Sequence, residues 1–150
     1  METNYSYTAT ASWTLHHRSV VKAENGIPNT LDFSVPPEFG GEPGQWTPEH
    51  LLLAAVASCL VATFRGMSEK SKLEFPHIDV TVKGIIEKQD GYLCFTRIIL
   101  HPEVLIGREE DLERATRLLE RAERACLIAR SLSAEIVLEA KVTVEALLPA

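Results

Sequence analysis

Hydrophobic and polar positions change their period several times along this chain, and each change marks an element. Over residues 5–13 (YSYTATASW), aromatic or β-branched residues alternate with small ones, the two-residue period of a strand. Ser19 to Lys22 forms a second short strand pattern, Asn25-Gly26 a turn signal, and Leu31 to Val35 a third strand. The next segment, PPEFGGEPGQW over 36–46, is a loop whose Gly pair admits backbone conformations closed to other residues. A helix start follows, with Thr47 as cap, Pro48 at the first helical position and Glu49 at the positive end of the dipole. From Leu51 to Phe64 there is no charge and no one-sided pattern. A helix apolar all round is expected to be buried all round. A domain of this size rarely encloses one alone, so a partner subunit is expected to supply cover. Ala54, Ala55, Ala57 and Ser58 would let another backbone come close.

Residues 77–87 and 92–101 are two strand patterns joined at Gln89-Asp90-Gly91, a hairpin. Asp111 to Arg124 predicts an amphipathic helix with Leu112, Ala115, Leu119, Ala122 and Cys126 on one stripe. Glu110/Arg114, Glu113/Arg117 and Glu120/Arg124 lie outside it at i,i+4. Ala134 to Val144 alternates as one last strand. The order, βββ-α-ββ-α-β, predicts an α+β class.

With 150 residues, 45% hydrophobic and 24% charged, the chain fits one globular domain spanning 1–150. A net charge of −6 excludes nonspecific nucleic-acid binding as a default role. The longest apolar run, Leu51 to Ala62, is shorter than a membrane span, so no membrane partner is expected. The N-terminus has neither the basic region nor the apolar core of a signal peptide. Three cysteines without an export signal predict reduced thiols in a cytoplasm.

Taken singly, Cys59 in the apolar helix, Cys126 at the end of the second stripe and Cys94 on a strand each have the ordinary fate of a free cysteine, packing. No Cys-x-x-Cys pair is present, and Cys59 and Cys126 can meet only through the fold. Two polar residues widen the possibilities. Arg18, beside His16 and His17, could give a cysteine thiolate character. Glu49 could hold such an Arg through a bidentate pair. Glu49 precedes Cys59 by ten residues, roughly 15 Å along a helix axis, so an Arg or a second chain must bridge them. Arg65, further along the same helix, is the other candidate cation. The histidines at 16, 17, 50, 77 and 101 lack metal-ligand spacing, and no dinucleotide, phosphate-loop or serine-hydrolase motif occurs. No cofactor or metal is expected.

The segment FGGEPGQWTPEHLLLAAVASCL (39–60) resembles the OsmC/Ohr family of cysteine-based peroxidases: Gly40-Gly41, then Pro48-Glu49, then Cys59. CLIARSLSAEIVLEAKV (126–142) resembles the family's second signature, and residues 78–100 have the shape of its hairpin. The resemblance implies an OsmC-like βββ-α-ββ-α(α)-β subunit with a buried central helix, in an intertwined homodimer with active sites at the interface. It implies that Cys59 is the peroxidatic thiol, Cys126 the resolving thiol, Glu49 the Arg-orienting carboxylate and Arg18 the thiolate-stabilising Arg. It implies an organic hydroperoxide as substrate and a dithiol, a lipoyl protein or small thiol, as reductant. Arg18 stands two positions after the family's usual place for this Arg. Cys126-Leu127-Ile128-Ala129 replaces the commoner Cys-Pro-x-Ser. A non-catalytic binding module for a small apolar or electrophilic ligand is the competing expectation. A hot-dog thioesterase is a third, although it gives two matched cysteines no role.

Overall fold

The computed structural model describes residues 4–13, 19–24 and 26–145. The Asn25 half of the expected turn, His16, His17 and Arg18 lie outside the described residues. The chain divides into two compact units, Met1–Leu52 and Leu53–Ala150.

In the first unit, β1 (Ala9–Ser12), β2 (Val20–Ala23) and β3 (Leu31–Asp32) form an antiparallel sheet in the order β1-β2-β3. β1 is shorter than the alternation over 5–13 predicts, because β2 offers it four partners, from Ala23 opposite Ala9 to Val20 opposite Ser12. β3 ends early as well. The Phe33 N–H still donates to the Ser19 carbonyl at 3.1 Å beside β2, but Phe33 also forms a parallel bridge with Trp46, and the Ser34 N–H donates to the Trp46 carbonyl at 2.8 Å. The two glycines of the loop do different work. Gly40 closes the short turn Pro37–Phe39 at φ 90°, a left-handed conformation. Gly41 passes so close to the Val35 carbonyl oxygen that a Cβ there would lie 1.7 Å from it. Large apolar side chains in this unit stay open to solvent, among them Tyr7 at 84% and Trp13 at 70%.

Helix α1 (Pro48–Ser71) begins as its cap residues predict: Thr47 Oγ1 accepts from the His50 N–H at 3.1 Å. It runs well past Phe64, and its mean hydropathy of 1.7 over 18 residues makes it long and apolar enough to cross a membrane by length and composition. The core helix of a folded domain passes the same test, and the buried stripe of α1 belongs to this chain's core. Only Val56, Leu60, Phe64 and Ser68 are fully buried within the chain, a single stripe at i,i+4.

In the second unit, β4 (His77–Gln89) and β5 (Tyr92–Ile106) form a long antiparallel hairpin. Its turn is Asp90 at φ 52° and Gly91 at φ 85°, both left-handed, as a two-residue hairpin turn of this hand requires. Gly84 lets the Phe95 ring and Leu53 approach the strand, since a Cβ there would lie 2.4 Å from the ring. β6 (Glu135–Leu138) and β7 (Lys141–Val144) both lie parallel to β5 along its other edge. The single last strand expected over 134–144 is therefore interrupted at Glu139-Ala140. Leu100 and Ile106 give their carbonyls to the N–H groups of Glu139 and Glu145 at 2.8 and 2.9 Å. By strand alternation Pro102 faces the same edge, where it has no N–H to offer the ladder.

Helix α2 (Leu112–Ala125) packs against β5 and β7 and buries Ala115, Leu118, Leu119 and Ala122. Leu112 is exposed, and Leu118 takes the place on the stripe that the spacing assigned to it. Arg114 pairs with Asp111 at 2.9 Å and with the Ser71 carbonyl at 3.0 Å rather than with Glu110. Glu113 and Arg117 do pair, at 3.8 Å. A one-turn helix, α3 (Leu127–Arg130), follows. The core joins Val56, Leu60 and Phe64 of α1 to Ile98, Leu100, Val104 and Ile106 of β5 and to the apolar side of α2.

Candidate active site

Cys59 stands on α1 beside the buried stripe, between Val56 and Leu60, and is half-buried. Cys126 occupies the junction of α2 and α3, at φ −63° and ψ 109°, one extended residue between two helices. That break has a local cause. The Cys126 N–H still bonds back to the Glu123 carbonyl at 3.2 Å, while its own carbonyl accepts from the Arg130 N–H at 3.0 Å and opens α3. The change of direction leaves Cys126 fully buried, with its sulfur 4.0 Å from the Val56 carbonyl oxygen. The sequence placed Cys126 at the end of the α2 stripe; it lies one residue past the helix.

The two thiols are hydrogen-bonded to each other and ionise differently. Burial raises the Cys59 thiol, but the nearby Ile128 N–H, Cys126 thiol, Thr63 hydroxyl and Leu127 N–H favour its ionised form and carry it below its ordinary value. Burial pushes Cys126 up to about 11; the N–H groups of Ala129 and Ile128 oppose this, and the hydrogen bond and charge of Cys59 add to it. The arrangement thus makes Cys59 the more readily ionised of the two thiols and holds Cys126 protonated to higher pH. A thiolate is the nucleophilic form of cysteine, and a neighbouring thiol can condense with its oxidised product.

None of these donors to Cys59 is a guanidinium. Arg65 is exposed and pairs with Glu69 at 3.4 Å. Arg18 lies outside the described residues. Glu49 is in the first turn of α1, in the first unit, and its Oε2 is buried without a hydrogen-bond partner among the described residues. Cys94 is bonded elsewhere: its sulfur donates to Gln89 Oε1 at 3.3 Å across the hairpin. Among the described residues, no group of three His, Cys, Asp or Glu side chains is placed to hold a metal ion.

Sequence reasoning missed Thr63 and the N–H groups of residues 127–129. Thr63 carries a faint signal, since it stands one helical turn after Cys59. The N–H groups carry none, because backbone donors are common to all residues except proline and matter here through the break at Cys126.

Residues 40–141 match the family described as OsmC-like protein. The chain is 30% identical over 139 residues to the uncharacterized protein YmaD of Bacillus subtilis (strain 168), across 90% of this chain and 91% of that one. An OsmC-like protein of unknown function from Vibrio cholerae O1 biovar eltor has a TM-score of 0.81 at 19% identity, over 91% of this chain and 99% of its own. An organic hydroperoxide resistance protein from Elizabethkingia anophelis, with crystallant-derived thiocyanate bound, has a TM-score of 0.76 at 23% identity, over 97% and 100%. These structures share the α+β fold described above.

Proposed function

Because the chain belongs to the OsmC-like protein family, we propose that it is a thiol-dependent peroxidase that reduces organic hydroperoxides through Cys59, with Cys126 as the resolving thiol. The observation that carries this reading is the contact between two cysteines distant in sequence, the half-buried one ionising more readily than the buried one.

The Cys59 thiolate attacks the distal oxygen of the hydroperoxide. The O–O bond breaks, Cys59 becomes a sulfenic acid, and the departing alkoxide takes a proton to leave as an alcohol. The Cys126 thiol then condenses with the sulfenic acid, forming an S–S bond and releasing water. A dithiol reductant, a lipoyl protein or small thiol, exchanges with that disulfide, restoring both thiols and becoming oxidised itself. The steps call for the reduced thiol pool of a cytoplasm. Arg18 is given the guanidinium that stabilises the Cys59 thiolate, and Glu49 the carboxylate that orients it. The unpartnered Oε2 of Glu49 supports a role as acceptor.

We read the chain as a homodimer. Its support is the apolar surface that the single chain leaves uncovered: the sides of α1 away from its buried stripe, and Tyr7, Trp13 and Trp46. A second copy, rather than a bilayer, is assigned to cover α1, because its buried stripe already belongs to the core with β5 and α2.

The test is to treat the reduced protein with one equivalent of cumene hydroperoxide, titrate its thiols and map disulfides by mass spectrometry. The expected result is loss of two thiols, a Cys59–Cys126 disulfide and one equivalent of alcohol. Both thiols remaining free would overturn the reading in favour of a binding module for a small electrophile.

A further inference from the structure

A cavity of about 470 Å³ lies between the segment that joins α1 to β4 and the segment that joins β5 to α2. That volume suits a small organic molecule. Neither Cys59 nor Cys126 lines it, and Lys72, which does, follows Cys59 by thirteen residues, roughly 20 Å along a helix axis. Phe75 and Pro76 give it an apolar side, and the Phe75 ring is fixed against Phe64 of the core with centroids 5.0 Å apart.

Arg114 gives the cavity a guanidinium held from two directions. Nη1 donates to the Ser71 carbonyl at 3.0 Å and Nη2 to Asp111 Oδ1 at 2.9 Å. A guanidinium carries more N–H donors than these bonds use. Nε is buried with no hydrogen-bond partner among the described residues, while the side chain as a whole stays 41% exposed. Lys72 is the less ordinary cation. Its N–H donates to the Glu69 carbonyl at 3.3 Å and the Leu73 N–H to the Ser68 carbonyl at 2.9 Å, the pair of bonds that closes a helix through a left-handed residue. Glycine is the usual residue there; a lysine takes the place at φ 56°. Lys72 is exposed and makes no ion pair among the described residues, so neither packing nor a salt bridge accounts for a lysine in that conformation. Its place on a cavity shared with Arg114 and Arg108 does.

We propose that this cavity binds a small organic monocarboxylate, its charge met by Arg114 and Lys72 and its apolar body by Phe75 and Pro76. The planar guanidinium matches a carboxylate in shape as well as charge. The acidic side chains on the cavity select a single negative charge. Asp111 is already committed to Arg114, Arg108 is paired with Glu110, and Glu74 repels any further anionic group. A phosphate dianion is disfavoured for that reason.

The experiment is a titration of 4-fluorobenzoate into the reduced protein at constant ionic strength, followed by fluorine NMR. Saturable binding with a Kd of about 1 mM or tighter is expected for so small a probe. A response still linear at about 10 mM would overturn the proposal. Lys72→Gly suits the left-handed position, so it should raise the midpoint of thermal unfolding while weakening the probe by about threefold to tenfold. Equal affinity in the parent and Lys72→Gly would place the probe elsewhere and overturn the proposal. A lowered unfolding midpoint in that variant would overturn the assignment of Lys72 to the ligand. Arg114→Lys keeps the charge, loses the fork and should weaken the probe at least as much; if circular dichroism shows it unfolded, Lys72→Gly decides by the same criteria. Benzyl alcohol, which lacks the charge, and inorganic phosphate should each fail to displace the probe at equal concentration, and displacement by either would overturn the carboxylate assignment. The titration involves no peroxide and no thiol chemistry, so its outcome is separate from that of the peroxidase reading.

Discussion

Cys126 places its sulfur 4.0 Å from the carbonyl oxygen of Val56, one helical turn before Cys59 on the same side of α1. That anchorage is what brings the two thiols together. It depends on a one-residue break between α2 and α3, not on a turn motif next to either cysteine.

Cys59→Ser is expected to abolish consumption of organic hydroperoxide. Cys126→Ser should complete one turnover and then stall or over-oxidise at Cys59, because the sulfenic acid has lost its internal partner. Cys94→Ser should retain activity, its thiol being engaged with Gln89. Coupled turnover assays, with the mass of Cys59 followed over time, check all three. Sustained turnover by Cys59→Ser would remove the peroxidase reading.

The opposite displacements of the two thiols give opposite pH signatures in stability. Cys126 is raised from 9.0 to about 11, so folding favours its protonated form. Its contribution is fully present below pH 9 and is lost as pH rises through about 11. Cys59 is lowered, so its contribution is present above its unfolded value and is lost as pH falls through the lowered one. Denaturant melts from pH 8 to 11 should show declining stability in the parent and a flatter decline in Cys126→Ala. Equal slopes for the two proteins would contradict the assignment.

The homodimer predicts that unfolding and dissociation are one event, so the midpoint of thermal unfolding should rise with protein concentration. Sedimentation equilibrium at micromolar concentration should give twice the chain mass. A stable folded monomer under those conditions would refute it.

Gly84→Ala should destabilise the protein by about 1–3 kcal/mol through overpacking, because the new methyl group meets the Phe95 ring at 2.4 Å and Leu53 at 3.0 Å. The loss is measurable as a lower denaturant midpoint. An unchanged midpoint would mean that ring and leucine shift without penalty.

Arg18→Ala is expected to slow the peroxide step by at least about tenfold, as removal of a charge-stabilising donor does. Glu49→Gln should slow it less, since it loosens the cation without removing it. Arg65→Ala should leave the rate unchanged, because Arg65 is engaged with Glu69 in solvent. Stopped-flow rates of Cys59 oxidation distinguish the three; a slowed Arg65→Ala would move the cationic role to that residue.

The sequence alone determined what short-range physics can encode. Thr47, Pro48 and Glu49 marked the start of α1 because capping is a contact between near neighbours. Asp90-Gly91 marked the hairpin turn because its backbone hand restricts residue choice, and the α+β order followed from changes in period. The spacing of Glu49 and Cys59 with the distal Cys126 carried the family resemblance. Tertiary structure decided the rest. It ended the last strand's ladder at Glu139 because Pro102, on a neighbouring strand, lacks an N–H there. It chose which stripe of α1 the chain itself buries, since the covered side of an apolar helix depends on what packs against it. It also separated the ionisation of Cys59 from that of Cys126. Their identical side chains differ only in burial and in which backbone N–H groups the break at Cys126 presents to them, and no local pattern encodes those.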